Sequence, residues 1–198
     1  DIDDLLAKLE TFYDLNVNRL KFADLSNSNL AKYKMVICLY YTTEWMAYGG
    51  GFDDVIGGMW ISPSTCKPVG QTIAHEIGHS FQYQCFCDLH GAAGFRYNFG
   101  PNGCGYWEVT ANWQSVMAYP DLMYSMSMFI YRKAHNMAMT HEWMRYQSYW
   151  MNYWWIDRHG LDMVGRLWRG STQWGDDVNQ VYMKLMGLSV KDFYKEYM

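Results

Sequence analysis

Gly70-Gln71-Thr72-Ile73-Ala74-His75-Glu76-Ile77-Gly78-His79-Ser80-Phe81-Gln82 is the stretch on which the reading of the chain turns. Within it His75, Glu76 and His79 spell H-E-x-x-H. On a helix, side chains four residues apart stand one turn above each other on one face, so both imidazoles reach a single metal ion. Glu76 sits about 100° round from His75, close enough to hold a water on that ion without ligating it. The segment predicts helix independently of the motif. Pro68 and Gly70 open it, and Ile73, Ile77 and Phe81 form an i, i+4, i+8 apolar stripe away from the histidines. Gly78 costs roughly 1 kcal/mol in a helix interior, which marks a point where another element packs closely. Two histidines on an amphipathic helix are otherwise ordinary surface groups, and short motifs recur by chance. The helical context and a third ligand downstream decide between these readings.

A catalytic zinc takes three protein ligands and keeps a fourth position open. A histidine six residues after His79 would complete H-E-x-x-H-x-x-G-x-x-H, the metzincin pattern. That position is Cys85, and Gln82 stands where the glycine belongs. Asp88 and His90 have the chemistry to ligate but need a specific turn to do so. Glu108 is the better candidate. It lies on a second predicted helix, Tyr106 to Met117, and residues 80–107 leave room for a loop to return that helix antiparallel beside the first. Its alternative is a solvated helix residue. Trp107, Val109, Ala111 and Trp113 surround it in sequence, and a carboxylate buried among them needs a partner such as a metal. Asn112, one turn further on the same face, is placed to accept the outer ring N–H of a ligand histidine.

Composition narrows the rest. A chain of 198 residues is expected to form one domain, 1–198, with an upper lobe to about residue 87 and a helical lower lobe from about 88. The net charge is −4 with no run of Lys or Arg, which argues against a nucleic-acid partner or an anionic membrane surface. No apolar stretch approaches the roughly 18–20 residues that span a bilayer. The chain starts Asp1-Ile2-Asp3-Asp4 with neither initiator Met nor signal-like region, and reads as a mature chain or an excised domain. Ten Trp and seventeen Tyr either fill the core or, in part, line a cleft for peptide or sugar.

Along the chain, residues 1–25 predict a helix, with Ile2, Leu5, Leu6, Leu9, Phe12 and Tyr13 recurring at three-to-four spacing and acidic residues in the first turn. Met35 to Tyr41 predicts a buried strand. Gly49-Gly50-Gly51 reads as a mobile loop leading into a short strand at Gly58 to Ile61, ended by Pro63. No phosphate-binding glycine motif is present. Helices are expected at 121–138, 142–159, 161–169, 176–186 and 190–197, broken at Gly160, Gly170 and Gly187.

H-E-I-G-H-S-F-Q followed by W-E-V-T-A-N-W resembles the gluzincin metallopeptidases, and is most similar to a little-characterised group of secreted bacterial zincins. The likeness covers roughly Gly57 to Arg169. It implies an α+β, zincin-like fold and Zn2+ held by His75, His79 and Glu108, with Glu76 as general base. It also implies that the strand before the metal helix, placed at Met59 to Ile61, is an edge to which substrate adds. Thermolysin-like members carry Asp where this chain has Asn112. A weaker motif, Arg145-Tyr146-Gln147-Ser148-Tyr149-Trp150, implies Tyr146 as the residue reaching the oxyanion, with Tyr149 and His141 as rivals.

Five cysteines are present: Cys38, Cys66, Cys85, Cys87 and Cys104. Cys38 is expected as a buried thiol. Cys85 and Cys87 on one side and Cys104 on the other bracket the glycine-rich loop, so a disulfide such as Cys87–Cys104 is expected in an exported protein, with the pairing among Cys66, Cys85, Cys87 and Cys104 open. C-x-x-C spacing for a second metal site is lacking. A cysteine nucleophile with His90 has nothing to orient its base. The expected function is a zinc endopeptidase acting on protein, peptide or glycoprotein, monomeric, secreted or at the cell surface or periplasm. The alternative is a non-catalytic binding module of the same fold, which would have no need of Glu76.

Overall fold

The computed structural model describes residues 2–90, 97–100, 102–123, 132–173 and 175–197. The first helix, α1, spans Ile2–Asp14 and buries Leu5, Leu9 and Phe12. It closes in a widened π turn, Leu15–Arg19, so the helix expected over 1–25 ends earlier. Three strands follow: β1 (Val36–Leu39), β2 (Ala47–Phe52) and β3 (Ile56–Ile61). Their order in the sheet is β1-β3-β2, with β1 parallel and β2 antiparallel to β3.

Three expectations are corrected here. The Gly49–Gly51 run is not a mobile loop but the middle of β2. Asp53 and Asp54 both take positive φ, 52° and 54°, and Val55 N–H closes the turn on the Phe52 carbonyl; this is the geometry of a tight hairpin. The hairpin lays β2 along the side of β3 away from β1, so Met59 to Ile61 lie on the central strand and not on an edge. β1 is itself an edge, with Val36 and Leu39 exposed, not a buried strand.

Below the sheet runs α2, Gln71–Asp88, starting where Pro68 and Gly70 predict. It continues through Cys85 and Cys87 and ends at Asp88, so the loop that returns the chain to the second helix begins only after that residue. Ser80 Oγ donates to the Gly58 carbonyl at 2.7 Å and Gly57 N–H to Gln84 Oε1 at 2.9 Å, fastening α2 to β3. Its other side packs on α3, Tyr106–Ala118. Gly78 is the close approach: a Cβ there would lie 2.7 Å from Gln114 Oε1 and 3.4 Å from the Ala111 Cα.

Among the described residues, four α-helices follow: α4 (Trp150–His159), α5 (Met163–Arg169), α6 (Val178–Met186) and α7 (Val190–Tyr197). Gly160, Gly170 and Gly187 end α4, α5 and α6. The helix expected over 121–138 falls partly outside the described residues. That expected over 142–159 is helical in the α sense only from Trp150, because His141 caps a short 3-10 turn, Glu142–Met144. Large aromatics fill this half. Tyr106 stacks on Trp168 and Trp155 on Tyr182. Trp168 Nε1 donates to Thr110 Oγ1 and Tyr106 Oη to Asn152 Oδ1, which clamps α3 to α5 and α4. One apolar cluster joins Leu5 of α1 to Phe193 of α7, and the class is α+β. No helix among the described residues is long and apolar enough to cross a membrane.

The Cys87–Cys104 disulfide is not formed; all five cysteines are free thiols. Cys85 Sγ donates to the Phe22 carbonyl and Cys104 Sγ to that of Met139, so each is engaged by its own neighbourhood. Burial pushes both thiols well up, Cys104 to about 12, as it does Cys87, also to about 12. These are inert core thiols. Cys38 is half-buried, as its place on an edge strand requires.

Candidate metal centre

α2 and α3 meet in opposite order along the two helices: Gln82 touches Trp107, His79 and His75 touch Glu108, His75 reaches Asn112, and Gln71 reaches Ser115. The pairing is therefore antiparallel. It carries the first turn of α3, where Glu108 sits, directly opposite the two histidines.

The three side chains converge. Glu108 Oε2 lies 3.1 Å from His75 Nε2 and 3.3 Å from His79 Nε2, and the two Nε2 atoms are 3.1 Å apart. The rings stand nearly perpendicular, at 86°. A tetrahedral ion with bonds of about 2.0–2.1 Å sets its ligand atoms about 3.3–3.4 Å apart, close to all three separations. Among the described residues this is the group of His, Cys, Asp and Glu atoms that can hold a metal. Asp88, considered as a ligand, instead accepts from Asn29 N–H and Gln84 Nε2. His90, at positive φ after the end of α2, does not join the group.

Protons decide what the triad can do. His75 Nδ1 lies 2.8 Å from Asn112 Oδ1, and the Asn112 amide nitrogen is committed to the Tyr146 carbonyl at 2.8 Å. His79 Nδ1 lies 3.1 Å from Gln82 Oε1, and the Gln82 amide nitrogen is committed to the Trp107 carbonyl at 2.9 Å. Both outer nitrogens thus face acceptors and carry the ring proton. Both Nε2 lone pairs then point inward at a carboxylate oxygen. Three acceptors within 3.3 Å of one another need a cation or a proton between them, and this donor set fits a zinc-like cation. Without a metal, the proton takes that place. Burial alone would raise the Glu108 pKa, but hydrogen bonds from His75 and His79 hold it well below the carboxylate range. Burial alone would lower that of His79, but Glu108 and Glu76 carry it above 6.5.

Glu76 is held beside this group by the sheet. Gly49 N–H donates to Glu76 Oε2 at 2.8 Å. Pairing in the hairpin alternates from Ser62 N–H on the Met46 carbonyl, so the Gly49 N–H points off the free edge of β2. Only glycine fits: a Cβ at Gly49 would lie 1.9 Å from the Glu76 backbone oxygen and 2.7 Å from His79 Cβ.

Tyr146 stands at the rim, its ring centroid 6.3 Å from that of His75. It lies in a turn, not on a helix. Asn112 holds its carbonyl, and neighbouring Arg145 pairs with Glu142 and lies over the Trp107 ring. Burial and the adjacent Glu108 charge push its hydroxyl pKa up, against Arg145. The rivals are otherwise engaged: Tyr149 is buried and donates to the Met123 carbonyl, and His141 Nδ1 accepts from Trp143 N–H. Gln82 and Gly49 carry roles that the motif alone does not reveal. Gln82 was legible as an i, i+3 neighbour of His79; Gly49 had no signal in sequence.

No curated protein and no solved structure matches the chain. The model of the Family of unknown function (DUF6055) matches it from residue 1 to residue 198, and the chain belongs to that family.

Proposed function

We propose that the chain is a zincin-like metallopeptidase of the gluzincin type, hydrolysing peptide bonds at a zinc held by His75, His79 and Glu108. The observation that carries the reading is the inward meeting of two imidazole lone pairs and a carboxylate, with a second, tethered carboxylate beside them. Bound there, zinc would supply Lewis acidity, polarising a carbonyl and bringing the pKa of water down to about 7.

The chain's own groups do the rest. Glu76 keeps one oxygen on Gly49 N–H and takes the proton of the attacking water on the other, then returns it to the leaving amine. Tyr146, with its raised pKa, stays protonated at neutral pH and donates to the carbonyl oxygen as negative charge develops there. The free edge of β2, not β3, offers main-chain groups to an extended peptide beside Glu76. A tethered general base also favours catalysis over a binding module, which makes no use of it. We place the reaction on protein or peptide substrates.

The test is metal analysis joined to peptide-library cleavage with a chelator control. Zinc at one per chain and chelator-sensitive cleavage are expected. Glu76→Gln should keep the zinc and lower turnover by about 10²–10⁴-fold; undiminished turnover in that variant would remove Glu76 from the base role.

A further inference from the structure

The outer nitrogen of His79 starts a run of hydrogen bonds that leaves the site altogether. Nδ1 faces Gln82 Oε1 at 3.1 Å, and Gln82 Nε2 donates to Gln114 Oε1 at 3.2 Å as well as to the Trp107 carbonyl. Gln114 Nε2 donates to Asn16 Oδ1 at 2.6 Å, and Asn16 Nδ2 to the Phe12 backbone carbonyl at 2.9 Å. All three carboxamides are buried.

A carboxamide accepts at oxygen and donates at nitrogen, so a run of them has a direction. The last acceptor here is a backbone carbonyl, which can only accept. It fixes Asn16, Asn16 fixes Gln114, and Gln114 joins the Trp107 carbonyl in fixing Gln82. His79 Nδ1 is left to donate. We infer that Gln82, Gln114 and Asn16 are positioning residues: they lock His79 with its proton on Nδ1, so that Nε2 faces Glu108 and His75 before any cation arrives, and they tie this lock to α1.

Two features of the packing serve the same path. The π turn Leu15–Arg19 carries Asn16 inward at the end of α1, and such turns recur at functional sites. Gly78 leaves the space beside α2 that the Gln114 amide fills. Apolar side chains of the same size would fill this core without the cost of burying three amides. Directionality is what the amides add. The benefit to a metal centre rests on the reading proposed above; the proton lock itself does not.

The test is ¹⁵N NMR of histidine-labelled, metal-free protein on the alkaline plateau of its pH titration, where the imidazoles are neutral, reading which ring nitrogen carries the proton, followed by zinc affinity from chelator competition. Free neutral histidine prefers its proton on Nε2, so Nδ1–H at both His75 and His79 is a distinctive expectation. Gln114→Met and Asn16→Leu are near-isosteric. Each should return an Nε2–H population at His79, leave His75 unchanged because Asn112 holds it, and weaken zinc binding by about tenfold. Loss of the His75 signature would mark a variant that failed to fold, and Asn16→Ser, too short to bridge Gln114 and Phe12, then carries the same expectation. An unchanged His79 in any folded variant overturns the lock. A His79 change in a protein that never binds zinc supports the lock and overturns the metal reading.

Discussion

At the scale of single residues the site is a problem of proton placement. His79 and Glu108 titrate in opposite directions from their ordinary values of 6.5 and 4.5. The raised His79 pKa contributes stability that is full below 6.5 and is lost as pH climbs through its folded value. The lowered Glu108 pKa contributes stability that is present above 4.5 and lost as pH falls. In the metal-free protein the pair therefore stabilises most between those values. A cation must displace the bridging proton, so zinc affinity should rise with pH and level off above the folded pKa of His79. Melting curves should show a larger gain from zinc at about pH 8 than at about pH 6; an equal gain at both would mean that no proton is displaced. Asn112→Asp tests the other clamp. A carboxylate there still accepts from His75 but cannot donate to the Tyr146 carbonyl, so zinc should stay while turnover drops about 10-fold or more. Wild-type turnover in that variant would separate Tyr146 from the site. The residues read directly from sequence were those whose spacing is local or whose chemistry is conspicuous: His75, Glu76, His79, and Glu108 among its aromatic neighbours. Asn16 and Gln114 stand 98 positions apart, and no local pattern links two buried amides over that distance.

At the scale of elements, the site depends on β2 lying flat across one turn of α2. Gly49→Ala would drive a methyl into the Glu76 carbonyl and lift the strand. A stability loss of about 1–3 kcal/mol is expected from such overpacking, with turnover reduced beyond what the lost stability explains, because Glu76 loses its tether. Denaturant melts beside kinetics at low temperature, where the variant remains folded, check this. Full turnover there would show that Gly49 only makes room. Sequence misread this element for a physical reason. Three consecutive glycines have no side chains to alternate, so β2 shows no period-2 signal and resembles a loop. The strand is specified instead by its partner β3 and by the hairpin turn at Asp53 and Asp54. Helices with regular apolar spacing, α2, α3 and those ended by glycine, were legible. The turn bearing Tyr146 was not, since its place is set by Asn112 and by Arg145 over Trp107.

At the scale of the whole molecule, the candidate metal centre lies between two helices that also share polar contacts through Gln82, Gln114 and Gln71. His75 and His79 belong to the helix under the sheet, Glu108 to the helix clamped against α4 and α5. A cation bridging them binds the folded chain alone, so zinc at about 1,000 times its dissociation constant should add about 4 kcal/mol of stability. Chelation should lower the melting temperature reversibly, and Glu108→Ala should abolish that response. The aromatic excess divides at this scale: Trp113, Trp155, Trp168, Tyr106 and Tyr182 are fully buried in the core, whereas Tyr33, Tyr40, Tyr41, Trp45 and Tyr48 are exposed.

The central claim is that two imidazoles and one carboxylate hold a single ion. X-ray absorption at the metal edge of the zinc-loaded protein tests it most directly. One metal per chain is expected, with nitrogen and oxygen scatterers at about 2.0–2.1 Å, two imidazoles in the outer-shell pattern and no sulfur. A sulfur shell at about 2.3 Å, or metal content unchanged by Glu108→Ala, would contradict it.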